Sequence, residues 1–168
     1  SKSGLEDMIL PFEEMPIESR LWIFQSNRVF SDLELQEIEE SLNIFLRNWK
    51  AHGKNLTCGF KIHYKRFIII TIDESSYSAS GCSIDSCVHF IQSLEKKYKV
   101  DLLDKMNVTF KQGDFISYKS INDFKKMIKN KSVSKKTIVF NNMVVNIADY
   151  LENWEVPAHK SWHNRYFK

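Results

Sequence analysis

The run Phe67-Ile68-Ile69-Ile70-Thr71-Ile72, closed by Asp73-Glu74, decides how this chain folds. Both alternating sets of positions are apolar, so a strand here has no face for water and must be covered on both sides. A loop of small residues follows, Ser75-Ser76-Tyr77-Ser78-Ala79-Ser80-Gly81-Cys82. Beyond it Ile84, Cys87, Val88, Ile91, Leu94 and Tyr98 recur at helical spacing, which predicts an amphipathic helix starting near Ser83.

Upstream, residues 56–65 pair with the apolar run as a hairpin turning near Lys65-Arg66. Before that, Ser31 and Glu34 form a capping box and Phe30 with Leu35 a hydrophobic staple. Leu35, Ile38, Leu42, Phe45, Leu46 and Trp49 continue the helical period, and Gly53 stands where a glycine stop belongs. Arg20-Leu21-Trp22-Ile23-Phe24-Gln25 reads as the first strand. Downstream, residues 107–110 and 115–118 are strand-like, Ser120 with Asp123 opens a third helix, and residues 137–140 form a short strand. A last helix is expected over 147–154, followed by a tail rich in aromatic residues.

This order predicts an α+β fold with a ferredoxin-like β-α-β-β-α-β core, and an extra C-terminal α/β portion covering the sheet. Residues 8–168 read as a single domain; residues 1–7 read as a cloning remnant ahead of a native start at Met8. Composition agrees with a soluble globular protein at 168 residues, 43% hydrophobic and 27% charged. No apolar run approaches a membrane span, so the expectation is cytoplasmic, with no membrane insertion. Three cysteines, Cys58, Cys82 and Cys87, read as reduced thiols.

Charge is uneven along the chain. Residues 1–46 hold ten acidic side chains against Lys2, Arg20 and Arg28. Residues 96–136 hold twelve lysines against Asp101, Asp104, Asp114 and Asp123. The absence of arginine from the second stretch favours a solvated lysine surface over a nucleic-acid site.

Chemistry is expected at the serine-rich loop. Amides at a helix start carry partial positive charge, and Ser78, Ser80, Gly81, Cys82 and Ser83 are the predicted ligand-binding residues for a small anion. The same helix end would lower the pKa of Cys82, which makes Cys82, His89 and Asp73 the candidate catalytic set, with His63 as another base. Asp73 and Glu74 end the apolar strand, where carboxylates hold metals or act as bases, and Asp85 either joins them across the loop or serves the helix dipole. His159 and His163 have metal-ligand spacing on a helix, but no neighbouring Cys or carboxylate completes a ligand set, so neither metal nor cofactor is expected. Trp154, Trp162, Tyr166 and Phe167 are expected to cover apolar surface, within the chain or across a homodimer.

Several functions are excluded by pattern. The five glycines permit neither G-x-x-x-x-G-K-[ST] nor G-x-G-x-x-G. No H-E-x-x-H, EF-hand loop or G-x-S-x-G elbow occurs. Arg66-Phe67-Ile68-Ile69-Ile70 lacks the aromatic platform of an RNA-recognition motif, so nucleic acid is not an expected partner.

Four stretches together carry a family resemblance: Trp22-Ile23-Phe24-Gln25-Ser26-Asn27-Arg28, Ala79-Ser80-Gly81-Cys82-Ser83-Ile84-Asp85-Ser86, Thr137-Ile138-Val139-Phe140-Asn141-Asn142, and the tail with Tyr150-Leu151-Glu152-Asn153-Trp154-Glu155-Val156-Pro157 and Ser161-Trp162-His163-Asn164-Arg165. From Met8 on, the chain resembles an uncharacterised bacterial family often labelled ABC transporter ATPase. That label implies nucleotide binding, although the chain contains no Walker A loop and no L-S-G-G-Q signature. The resemblance supplies no catalytic residues. The leading expectation is a non-enzymatic domain that binds a small anion or a protein partner near residues 78–83. The alternative is a thiol-dependent enzyme or redox sensor built on Cys82.

Overall fold

A computed structural model describes residues 9–168. The expected remnant, residues 1–7, lies outside the described residues. The chain is α+β and clusters into two compact units, Ser1–Leu103 with Val145–Ile147, and Asp104–Val144 with Ala148–Lys168.

The first unit is built on the apolar run. Strand β1 (Arg20–Gln25) precedes helix α1 (Asp32–Arg47); the short pair β2 (Lys50–Ala51) and β3 (Lys54–Asn55) follows, then β4 (Thr57–His63), β5 (Phe67–Asp73) and helix α2 (Gly81–Tyr98). The sheet order is β1-β5-β4, with β5 antiparallel to both neighbours. β5 is therefore central, as its unbroken apolar sequence requires, and Phe67 to Ile70 are all fully buried. Trp22, Ile70 and Phe60 stand opposite one another, as do Phe24, Ile68 and Ile62. Both sets join one core with Ile38, Leu42 and Leu46 of α1 and Cys87, Ile91 and Leu94 of α2. Across the helix pair the Phe45 and Phe90 rings stack at 4.6 Å.

On the other face Gly59 is needed for space. A Cβ there would lie 2.6 Å from the Leu10 carbonyl oxygen, so glycine lets the segment carrying Phe12 and Met15 approach β4. That segment is held by the Leu10 N–H, which donates to the Cys58 carbonyl at 2.9 Å.

β1 and β4 run parallel with β5 between them, which is three strands of the expected arrangement. The strand that would complete it does not join this sheet. β6 (Asn107–Gln112) lies in the second unit, and the free edge of β1 instead meets residues 145–147. There Leu21 N–H donates to Val145 O at 3.2 Å and Ile147 N–H to Ser19 O at 3.0 Å.

Local corrections have simple causes. α1 has the expected capping box, Ser31 Oγ accepting the Glu34 N–H at 3.1 Å and Glu34 Oε1 the Ser31 N–H at 2.9 Å. Arg28 reinforces it with two 2.8 Å bonds to the Glu34 carboxylate and a third to the Tyr98 carbonyl. The hydrogen bond from Arg28, then that from Ser31, hold the Glu34 pKa down at about 2. α1 ends at Asn48 rather than at Gly53; His52 (φ 54) and Gly53 (φ 76) form the β2–β3 turn, whose two left-handed positions suit a tight hairpin. The β4–β5 hairpin likewise turns through left-handed Tyr64 and Lys65 (φ 53 and 56).

The second unit is a four-stranded sheet in the order β7-β6-β8-β9. β6 and β7 (Phe115–Ser120) form a hairpin; α3 (Ile121–Lys129), β8 (Ile138–Phe140), α4 (Ile147–Asn153) and β9 (Glu155–Pro157) follow. Ser120 caps α3 by accepting the Asp123 N–H at 3.0 Å. Val108, Phe110, Phe124, Val133, Val139 and Ala158 form the core. The tail closes over it as two 3-10 turns, Ala158–Lys160 and Trp162–Phe167, and not as an α-helix. No helix among the described residues is long and apolar enough to cross a membrane.

Candidate functional site

α2 starts at Gly81, earlier than the sequence indicated. Its cap is Ser80, whose Oγ accepts the Ser83 N–H at 3.1 Å while Ser83 Oγ accepts the Ser80 N–H at 2.7 Å. A serine thus does the work that a Glu or Gln does in the usual capping box. Ser83 is buried, and its carbonyl accepts the Trp49 indole N–H at 2.8 Å, which fixes the helix start against the end of α1. The hydroxyls of Ser80 and Ser83 are therefore committed to the helix. Gly81 and Cys82 are exposed in the first turn, which contains no acidic side chain, and Ser78 is exposed on the loop. Glu74 closes that loop, accepting the Ala79 N–H at 2.8 Å with Arg20 3.9 Å away.

Cys82 and His89 lie on α2, whereas Asp73 and His63 lie at the two ends of the β4–β5 ladder. His89 lies seven residues beyond Cys82 on the same helix, about 10 Å along the axis. Asp73 pairs with Thr57 at one end of the β4–β5 ladder and accepts the Ser75 N–H at 3.0 Å. His63 pairs with Phe67 at the other end, roughly 20 Å away, and stacks on Tyr64. Asp85 is exposed on α2. No group of three or more His, Cys, Asp or Glu suited to a metal occurs among the described residues.

The three thiols differ sharply. Burial pushes the Cys58 and Cys87 pKa values up to about 12, whereas Cys82 is exposed. Iodoacetamide added to the native protein at neutral pH is expected to label Cys82 and to leave the other two until the chain unfolds. Peptide mass spectrometry checks this, and early labelling of Cys87 would contradict the packing of α2.

The second unit contains a different site. Lys105, Ile121, Asn141, Met143, Trp162, Arg165 and Tyr166 line an open cavity of about 380 Å³. Each lies in or beside a defined element. Lys105 precedes β6, Ile121 opens α3, Asn141 and Met143 follow β8, and the last three lie on the terminal 3-10 turn. Two walls are cationic and none is a carboxylate. Neither Lys105 nor Arg165 has an ion-pair partner among the described residues. Arg165 is braced by its Nε, which donates to the Trp162 carbonyl at 3.2 Å, with its guanidinium 5.8 Å from the Trp162 ring centre. Asn141 Oδ1 accepts the Met143 N–H at 3.1 Å, leaving its amide nitrogen as a donor. The whole unit has twelve Lys and Arg against six Asp and Glu, a net charge of +6 with histidines neutral.

Behind this wall His163 is fully buried, its ring stacked on Trp162 at 3.7 Å and its Nδ1 2.7 Å from Ser161 Oγ. Burial, then the charge of Arg165, lowers its pKa to about 4, so it is neutral at physiological pH. His163 is part of the tail's packing, and His159 is exposed. The cavity residues lay beyond pattern reading because they come from four separate segments. The signals present were the lysine excess after residue 96 and the aromatic tail.

No family model matches the chain, and no curated protein or solved structure matches it.

Proposed function

We propose that this chain is a binding module for a small anion and not an enzyme, with the cavity of the second unit as its site. One observation carries the reading: Lys105 and Arg165 share a concave wall with no carboxylate to neutralise them. Two cations held in a concavity focus a positive potential that attracts an anion. Arginine adds a planar fork suited to phosphate or carboxylate oxygens. The spacing of Cys82 and His89 along α2, about 10 Å, argues against direct proton transfer between them, since a nucleophile and its base must come within hydrogen-bond reach.

A second reading places the anion at the start of α2, near residues 78–83. It is favoured by exposed Gly81 and Cys82 in a first turn without acidic residues. The two readings separate by substitution. Inorganic phosphate at matched ionic strength is expected to raise the Tm through preferential binding to the folded state. Lys105→Ala or Arg165→Gln should weaken that effect roughly tenfold in phosphate concentration, the scale of one charged hydrogen bond. Gly81→Pro removes an N–H from the α2 start, where proline fits the first helical position and a Cβ meets nothing within 4 Å. A response lost only in Gly81→Pro would move the site to α2.

A further inference from the structure

The cavity is much larger than an inorganic ion and much less polar than a site built only for one. About 380 Å³ falls in the range of small-molecule sites, and four of its seven wall residues, Ile121, Met143, Trp162 and Tyr166, are apolar or aromatic. A bare phosphate would meet Lys105 and Arg165 and leave the remainder of the wall in water. The aromatic part is itself surrounded by cations. Trp162 and Tyr166 meet edge to face at 6.0 Å, the Arg165 guanidinium is 5.8 Å from the Trp162 centroid, and Lys125 Nζ is 5.2 Å from the Tyr166 centroid.

We infer that the ligand of this cavity is an organic phosphate whose other end is a flat ring, the phosphate held by Lys105 and Arg165 and the ring packed against Tyr166 and Trp162. This rests on the anion-binding reading above and adds the ring. The ring-bearing phosphate comes either as a free small molecule or as one nucleotide unit of a single strand. Both offer the same two features, a π face and a phosphate.

The test is calorimetric titration of the full chain with phenyl phosphate, inorganic phosphate and a short single-stranded oligonucleotide at matched ionic strength. Phenyl phosphate should bind roughly tenfold more tightly than inorganic phosphate, the scale of one ring stacked on an aromatic side chain. Lys105→Ala should weaken both ligands, while Tyr166→Leu should remove only the advantage of phenyl phosphate. Should Tyr166→Leu not fold, the Trp162 indole NMR signal of the unsubstituted protein decides instead. A shift at saturation that is larger with phenyl phosphate than with inorganic phosphate supports the ring, and equal shifts overturn it. An oligonucleotide that displaces phenyl phosphate identifies the source as a nucleotide unit of a strand; one that does not identifies a free small molecule. Equal affinities for phenyl phosphate and inorganic phosphate overturn the ring and leave the anion reading standing. Binding of neither overturns both.

Discussion

Ile70→Ala is expected to destabilise the first unit by about 2–5 kcal/mol, which is a large share of the stability of an ordinary domain. Ile70 is at the middle of the central strand, fully buried, with Trp22 on one side and Phe60 on the other. Its side chain joins the core shared with α1 and α2. Truncation removes three methyl or methylene groups from a place where strands flank it on both sides, so collapse around the gap is limited. Urea unfolding followed by circular dichroism checks the value. The matching change at Ile44, which is 54% exposed on α1, should cost well under 1 kcal/mol, and similar losses at both positions would contradict the assignment of β5 as the centre of the sheet.

Acid should weaken the second unit through His163. Its folded pKa of about 4 lies below the usual 6.5, so between those values the unfolded chain binds a proton that the folded chain does not. Stability is therefore full above pH 6.5 and falls as pH drops toward 4, by about 3 kcal/mol if the whole shift is expressed. The Glu34 carboxylate of the first unit acts lower. Its contribution is present above pH 4.5 and is lost as pH falls toward 2, so the two windows barely overlap. Amide exchange in β6 and β8, measured from pH 7 to 4.5, should show the His163 slope, and His163→Gln should flatten it. An unchanged slope in that variant would mean that the ring is not held neutral by burial.

What was legible in the sequence was local. The Ser31–Glu34 capping box needs only residues three apart, and it forms as read. The apolar run of β5 declared burial on both faces, and the sheet places it centrally. Pairing between distant segments was not legible. β6 follows α2 as a closing ferredoxin-like strand would, yet Phe110 pairs with Val139 of β8, and the edge of β1 meets Asn146. Either partner satisfies the hydrogen-bonding needs of a strand, so alternation alone cannot choose between them. At the candidate sites the difficulty was of the same kind. Ser80 and Ser83 each make a plausible cap, and only the reciprocal bonds show that Ser80 is the cap and Ser83 its partner. Lys105, Asn141, Arg165 and Tyr166 are unremarkable residues until the fold brings them to one wall.

The most direct test of the account is a phosphate titration followed by NMR, with the Arg165 Nε–H and Trp162 indole signals observed in the unsubstituted protein and in Lys105→Ala. The account predicts saturable shifts at both signals, and a midpoint moved roughly tenfold higher by the substitution. Shifts confined to Gly81 and Cys82, or no saturable shift at all, would contradict an anion site in the second unit.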